Sequence, residues 1–89
     1  MRHLNILIEG DVQGVGFRWA ARRAAAGLGV NGFVRNEDDG SVRIEAEADE
    51  AALDLFTAWC RQGPGSANVE RVTVEESAVK RYTGFEIRF

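Results

Sequence analysis

The 89-residue chain holds one histidine, one cysteine, one proline, one methionine and one tyrosine. A lone cysteine, Cys60, excludes an internal disulfide and fits a reducing compartment. With His3 as the only histidine, no His/Cys set has metal-ligand spacing, and no calcium-loop ladder of carboxylates is present. A serine–histidine–aspartate system would have to be built on His3, and no nucleophile-elbow sequence accompanies it. No apolar run approaches the roughly 18 residues that span a bilayer, and no signal-peptide pattern opens the chain. The expected location is cytoplasmic, with no membrane partner. Basic charge is short too. Eleven Lys and Arg against 14 Asp and Glu leave a net charge of −3, whereas a general polyanion binder carries a basic face. Any attraction for phosphate must therefore be local.

What the chain does have is glycine in one telling place. Gly10-Asp11-Val12-Gln13-Gly14-Val15-Gly16-Phe17-Arg18 follows an apolar alternating run and opens a helix-like one. A loop with few side chains can turn its N–H groups inward, and a helix N-terminus adds roughly half a positive charge. Arg18 supplies a planar, permanently charged fork able to hold two phosphate oxygens. The construction suits a small phosphoryl group. It is not a Walker loop, since Lys-Ser/Thr is missing after the last glycine. Nor is it a dinucleotide fingerprint, since Trp19 stands where the third glycine would be.

Periodicity places this loop in a fold. Leu4, Ile6 and Ile8 alternate as a strand with one buried face. From Phe17, residues Ala21, Ala24 and Leu28 recur on one helical stripe, with Arg22 and Arg23 on the exposed side. Gly27 and Gly29 bracket that helix's end, either able to take the left-handed cap conformation. Val30 to Asn36 reads as a strand, Asp38-Asp39-Gly40 as a hairpin turn, and Val42, Ile44 and Ala46 as the next strand. Asp49 is a candidate N-cap for a second helix whose inner face carries Ala52, Leu53, Phe56, Trp59 and Cys60. Gly63-Pro64-Gly65 stops it. Val72 and Val74 begin a last pair of apolar segments, closed by Phe85, Ile87 and Phe89. The order βαββαβ predicts an α+β, ferredoxin-like sandwich over residues 1–89: an antiparallel sheet with both helices on one face, because each crossover is right-handed. His3 reads as a strand residue without chemistry, and Glu45, Glu47, Asp49 and Glu50 as a solvated acidic edge.

A site of backbone amides, one arginine and one amide side chain can bind a phosphoryl group, disperse its charge and orient a water in line. It has no evident general acid, so the leaving group must depart unaided. A carboxylate does, its conjugate acid having a pKa of about 4, and an alcohol does not. Acyl phosphates are selected over phosphomonoesters on that ground.

Two segments carry a resemblance: Val12-Gln13-Gly14-Val15-Gly16-Phe17-Arg18, and Leu28-Gly29-Val30-Asn31-Gly32-Phe33-Val34-Arg35-Asn36. With Asp39-Gly40, Gly63-Pro64 and the closing Gly84-Phe85-Glu86-Ile87-Arg88-Phe89, the chain resembles the acylphosphatase family over nearly its whole length. The resemblance implies a metal-independent hydrolase, without cofactor, cleaving the carboxyl–phosphate bond of small acyl phosphates to carboxylate and inorganic phosphate. Arg18 then clamps the phosphate alongside N–H groups of Gln13, Gly14, Val15, Gly16, Phe17 and Arg18. Asn36 positions the attacking water, and the substrate phosphate takes the water's proton. Phe33 stands where the family commonly has tryptophan, and the stretch Glu45-Ala46-Glu47-Ala48-Asp49 lacks the glycine usual just before the second helix.

Two rivals belong to other classes. One is a non-catalytic anion-binding module of the same fold, since such domains also occur within larger carbamoyl-transfer enzymes. The other is an RNA-binding sheet, which needs exposed aromatics on its central strands. Ser41-Val42-Arg43-Ile44-Glu45 offers none, and the chain is acidic, so no nucleic-acid partner is expected. Even charge distribution makes a monomer the expected state. Trp19 has no assigned role.

Overall fold

A computed structural model describes residues 1–89. Strand β1 (Arg2–Asp11) leads through the glycine loop to helix α1 (Phe17–Leu28). A hairpin of β2 (Asn31–Asn36) and β3 (Val42–Ala48) follows, then α2 (Glu50–Gln62), β4 (Asn68–Ser77) and a short β5 (Phe85–Arg88). The sheet order is β4-β1-β3-β2-β5. Two helices lie on one face of one sheet, the ferredoxin-like α+β arrangement expected from the sequence. One part differs. The β1–β3, β1–β4 and β2–β3 pairs are antiparallel, but β5 runs parallel to β2, with Val34 opposite Ile87. The sheet is therefore mixed, because the return after β4 crosses the sheet to its far edge instead of forming a hairpin.

The core follows the alternation. Ile6, Ile8, Val34, Val42, Ile44 and Ala46 turn toward the helices and are fully buried, facing Phe17, Ala21 and Ala25 of α1 and Leu53, Phe56 and Cys60 of α2. Ala25 takes the central place on α1, with Ala24 and Leu28 half-buried at its flanks. Each large side chain so buried contributes about 1.5–3 kcal/mol. Gly29, at φ 72°, is the residue that ends α1, its N–H bonding the Ala25 carbonyl. Asp49 caps α2 through a 2.8 Å bond from the Ala52 N–H. No helix is long and apolar enough to cross a membrane.

The opposite face of the sheet departs from expectation. Glu47 is not part of a solvated edge, and His3 lies beside it. Both are buried, with His3 Nδ1 2.8 Å from Glu47 Oε2. The Lys80 and Tyr82 N–H groups also donate to the Glu47 carboxylate, the latter at 2.8 Å, and the Tyr82 hydroxyl donates to Glu45 at 2.9 Å. The segment between β4 and β5 thus folds over this face and is held there by two carboxylates, Glu47 taking both backbone N–H groups and Glu45 the side chains of Lys80 and Tyr82. Burial alone would raise the Glu47 pKa, but the Lys80 N–H, the His3 ring and the Tyr82 N–H outweigh it and hold the group below the ordinary carboxylate range. The sequence showed the acidic residues but not the segment that covers them. Of the four, Asp49 and Glu50 are exposed.

Candidate active site

The glycine loop leaves the core at the end of β1. Gly14 and Gly16 both have positive φ, 73° and 77°, and a Cβ at either would meet open space. Their need for glycine is conformational, since other residues rarely hold the left-handed region. The two left-handed turns curl the loop back so that α1 begins at Phe17 with Gly16 as its cap residue. No side chain caps this helix and no acidic residue sits in its first turn. The Ala20 N–H is the first to find a helical carbonyl, that of Gly16 at 3.1 Å. The N–H groups of Phe17, Arg18 and Trp19 therefore have no partner within the helix. Helix α2 is the contrast, with Asp49 on its N–H groups and Glu50 in its first turn. The start of α1 has the free donors and the uncompensated dipole that favour an anion.

Three ties fix the loop. Gln13 Nε2 donates to the carbonyls of Glu37 and Ser41, at 2.8 and 2.9 Å, across the neck of the β2–β3 turn. Ser66 Oγ donates to the Val15 carbonyl at 2.9 Å. The Phe17 ring lies buried against Trp59, with ring centres 5.4 Å apart, and beside Gly63, where an added Cβ would come 2.9 Å from it. The Gln13 side chain is thus a strut between the loop and the hairpin. Only its backbone is left for a phosphate.

Asn36 ends β2 on the helix side of the sheet, opposite Val42 and two residues after the buried Val34. The strut places it beside the loop. Asn36, Arg18, Gly14, Gly16, Trp19, Val12 and Phe17 line one cleft of about 190 Å³. Two residues eighteen positions apart in the chain, both singled out from the sequence, share one concavity. Val15 is half-buried with its carbonyl tied to Ser66, and it is not part of the cleft wall.

Arg18 is half-buried. Its Nη1 donates to the Arg88 carbonyl at 3.3 Å, and its guanidinium lies 4.7 Å from the centre of the Phe89 ring. The contact at the C-terminus is thus a carbonyl and a ring, which orient the fork without neutralising it. Arg35 and Arg43, by contrast, are held by Glu37 at 3.0 and 2.9 Å. The Arg35 hydrogen bond is the main reason the Glu37 carboxyl sits below its ordinary range. Arg18 is the only titratable residue lining the cleft. His3 lies on the other face of the sheet, at the opposite end of β1 from the loop.

Residues 4–87 match the family model described as Acylphosphatase. The chain belongs to the acylphosphatase family. Membership makes it a hydrolase. Over all 89 residues it is 51% identical to an acylphosphatase of Thermotoga petrophila, of which it covers 99%. The crystal structure of acylphosphatase from Bacillus subtilis superposes with a TM-score of 0.97 at 36% identity, each chain covered completely. A crystal structure of full-length HypF in a phosphate- and nucleotide-bound form is also similar, with a TM-score of 0.89 at 28% identity. There, 99% of this chain matches 12% of that one. The acylphosphatase fold therefore occurs both as a small chain and as a fraction of a larger one.

The cleft gathers Arg18, Asn36 and part of the loop that the sequence singled out, because a glycine motif and an asparagine at fixed spacing are written in one dimension. Sequence reasoning missed the Gln13 strut, the Ser66 tie and the Glu47 clasp. Their partners are backbone groups distant in sequence, and no local signal marks them.

Proposed function

We propose that this acylphosphatase hydrolyses the carboxyl–phosphate bond of small acyl phosphates by attack of water at phosphorus. The observation that supports it is the single cleft shared by the uncapped start of α1, Arg18 and Asn36. N–H groups of the loop from Gln13 to Arg18 receive the phosphoryl oxygens, and the Arg18 guanidinium holds two of them. As the P–O bond lengthens, charge spreads over those oxygens, and donors already aimed at them stabilise that state without reorganising. The Asn36 side-chain carbonyl accepts a hydrogen bond from the water and so turns an oxygen lone pair toward phosphorus, in line with the departing carboxylate. The new bond joins the water oxygen to phosphorus and the P–O bond to the acyl group breaks. The water's proton passes to a phosphoryl oxygen. The products are a carboxylate and inorganic phosphate.

The cleft wall offers no side chain that could protonate a leaving group, which restricts the reaction to leaving groups as good as a carboxylate. Residues 1–89 act as one domain, and a cytoplasmic monomer is the working form proposed. The test is hydrolysis of acetyl phosphate, with p-nitrophenyl phosphate as the parallel substrate and phosphate binding measured by calorimetry. Wild type is expected to turn over the acyl phosphate alone. Asn36→Ala is expected to bind phosphate normally and lose most of kcat, while Arg18→Gln loses both. Phosphate binding without turnover in the wild type would replace the hydrolase with a phosphate-binding module.

A further inference from the structure

Trp19 is a large apolar side chain left 65% exposed one position beyond the phosphate clamp. It lines the phosphate cleft and also a larger hollow of about 530 Å³ that runs along the outer face of α1. Gly16 is common to both cavities as well, so the two adjoin at the mouth of the loop. Beyond Trp19 the hollow is walled by Ala20 and Ala26, which leave it open, and by Arg22 and Arg23. Neither arginine has a carboxylate oxygen within 4.0 Å, and α1 contains no acidic residue to provide one. Arg22 instead lies over the Trp19 ring, 5.7 Å from its centre.

In a chain of net charge −3 this is a local run of positive charge without an ion-pair partner, beside the phosphate cleft across an aromatic face. Arg22 follows Arg18 by four residues, about 6 Å along the helix axis, and stands on the same side. An acyl phosphate seated in the loop directs its acyl group out of the cleft, because the water approaches phosphorus from the opposite side. We infer that the hollow is the acyl-group subsite, with Trp19 as the platform for an apolar spacer and Arg22 and Arg23 as the receivers of a second anionic group. The preferred substrates are then acyl phosphates that carry a carboxylate or phosphate at the end of the acyl group remote from the reacting phosphorus. This rests on the hydrolytic reading above and adds the substrate class to it. Trp19, Arg22 and Arg23 are specificity residues and touch no reacting atom.

The test uses a matched pair, 4-carboxybenzoyl phosphate and 4-methylbenzoyl phosphate, with acetyl phosphate as a substrate too small to reach the hollow. Wild type is expected to favour the carboxylated member by about tenfold in kcat/KM. That preference should disappear in Arg22→Gln/Arg23→Gln while acetyl phosphate turnover is kept. Trp19→Ala is expected to lower both aromatic substrates relative to acetyl phosphate. A general loss of structure would move all three substrates together and could not produce these changes in ratio. Equal kcat/KM for the pair in the wild type, or a preference that survives the double substitution, would overturn the subsite while leaving the hydrolase intact. Failure to hydrolyse any of the three, acetyl phosphate included, would overturn the hydrolytic reading and the subsite with it.

Discussion

Gln13 shows how much a single side chain can decide in this site. Its amide nitrogen bonds two carbonyls at the neck of the turn that follows Asn36, so it sets the distance between the loop and that asparagine. Gln13→Leu would leave both carbonyls one donor short in a partly buried place, at a cost of about 1–3 kcal/mol. The expected result is a lowered melting temperature together with a reduced kcat, and unchanged values of both would show that the strut carries nothing. Arg18 differs, being held by one long hydrogen bond and a ring. Arg18→Gln is expected to keep the melting temperature within a few degrees while kcat/KM falls by about 10²–10³, the scale of a lost oxyanion donor. Neither a histidine, a cysteine nor a carboxylate lines the cleft, so kcat is expected to be flat between about pH 6 and pH 8. A bell-shaped profile there would require an acid or base that the cleft does not contain. Arg18 and Asn36, which line one cleft, were legible in the sequence because each belongs to a short motif and their spacing is fixed by short elements. Gln13 was legible only as part of a motif, and its role depended on where a hairpin folded.

Among the elements, α1 puts local stability and the proposed function in opposition, whereas the β4–β5 segment serves stability. A helix of this length would ordinarily gain from a capping side chain, worth about 1 kcal/mol. Here Gly16 holds the cap position at φ 77° with no side-chain bond. Gly16→Ala meets no steric obstacle but strains the left-handed backbone, which is expected to cost about 1 kcal/mol. It should also rotate the N–H groups out of line, seen as weaker phosphate binding in calorimetry. Phosphate affinity equal to wild type would remove the loop from the binding site. On the other face of the sheet, Glu47 draws the segment before β5 onto the sheet. Its folded carboxyl titrates below its unfolded one, so its stabilisation is complete above the unfolded pKa and is lost as pH falls through the folded value. Glu47→Gln is accordingly expected to be less stable at neutral pH and to lose less on acidification from about pH 5 to pH 3 in urea melts. Parallel acid limbs for the two proteins would mean that Glu47 is not the clasp. The strands and helices themselves were readable from alternation and caps, Asp49 and Gly29 among them. The parallel placement of β5 was not, because pairing partners of a four-residue strand are chosen by the long return that Glu47 holds.

At the scale of the molecule, the sheet keeps two jobs apart. Its helix side carries the core and, at one end, the cleft, while the other side carries the His3–Glu47 clasp. Cys60 reports on the whole. It is completely buried in the core, and desolvation pushes its thiol up to about 12. It is expected to be inert to a thiol reagent until the chain opens globally, so its labelling rate should follow the unfolding free energy across a urea series. Labelling that is fast and independent of urea would show α2 detaching locally. The fold class was legible because a short chain with this order of elements has few ways to bury both helix stripes, whereas the overlay on the open face depended on long-range polar partners. The central claim is that the loop and Arg18 hold phosphorus while Asn36 aims water at it. The most direct measurement is hydrolysis of acetyl phosphate in ¹⁸O-labelled water, with both products analysed by mass. Attack at phosphorus places the label in inorganic phosphate and leaves acetate unlabelled. Label in acetate would mean that water attacks the carbonyl carbon, and the assignment of Asn36 and the phosphate loop would be wrong.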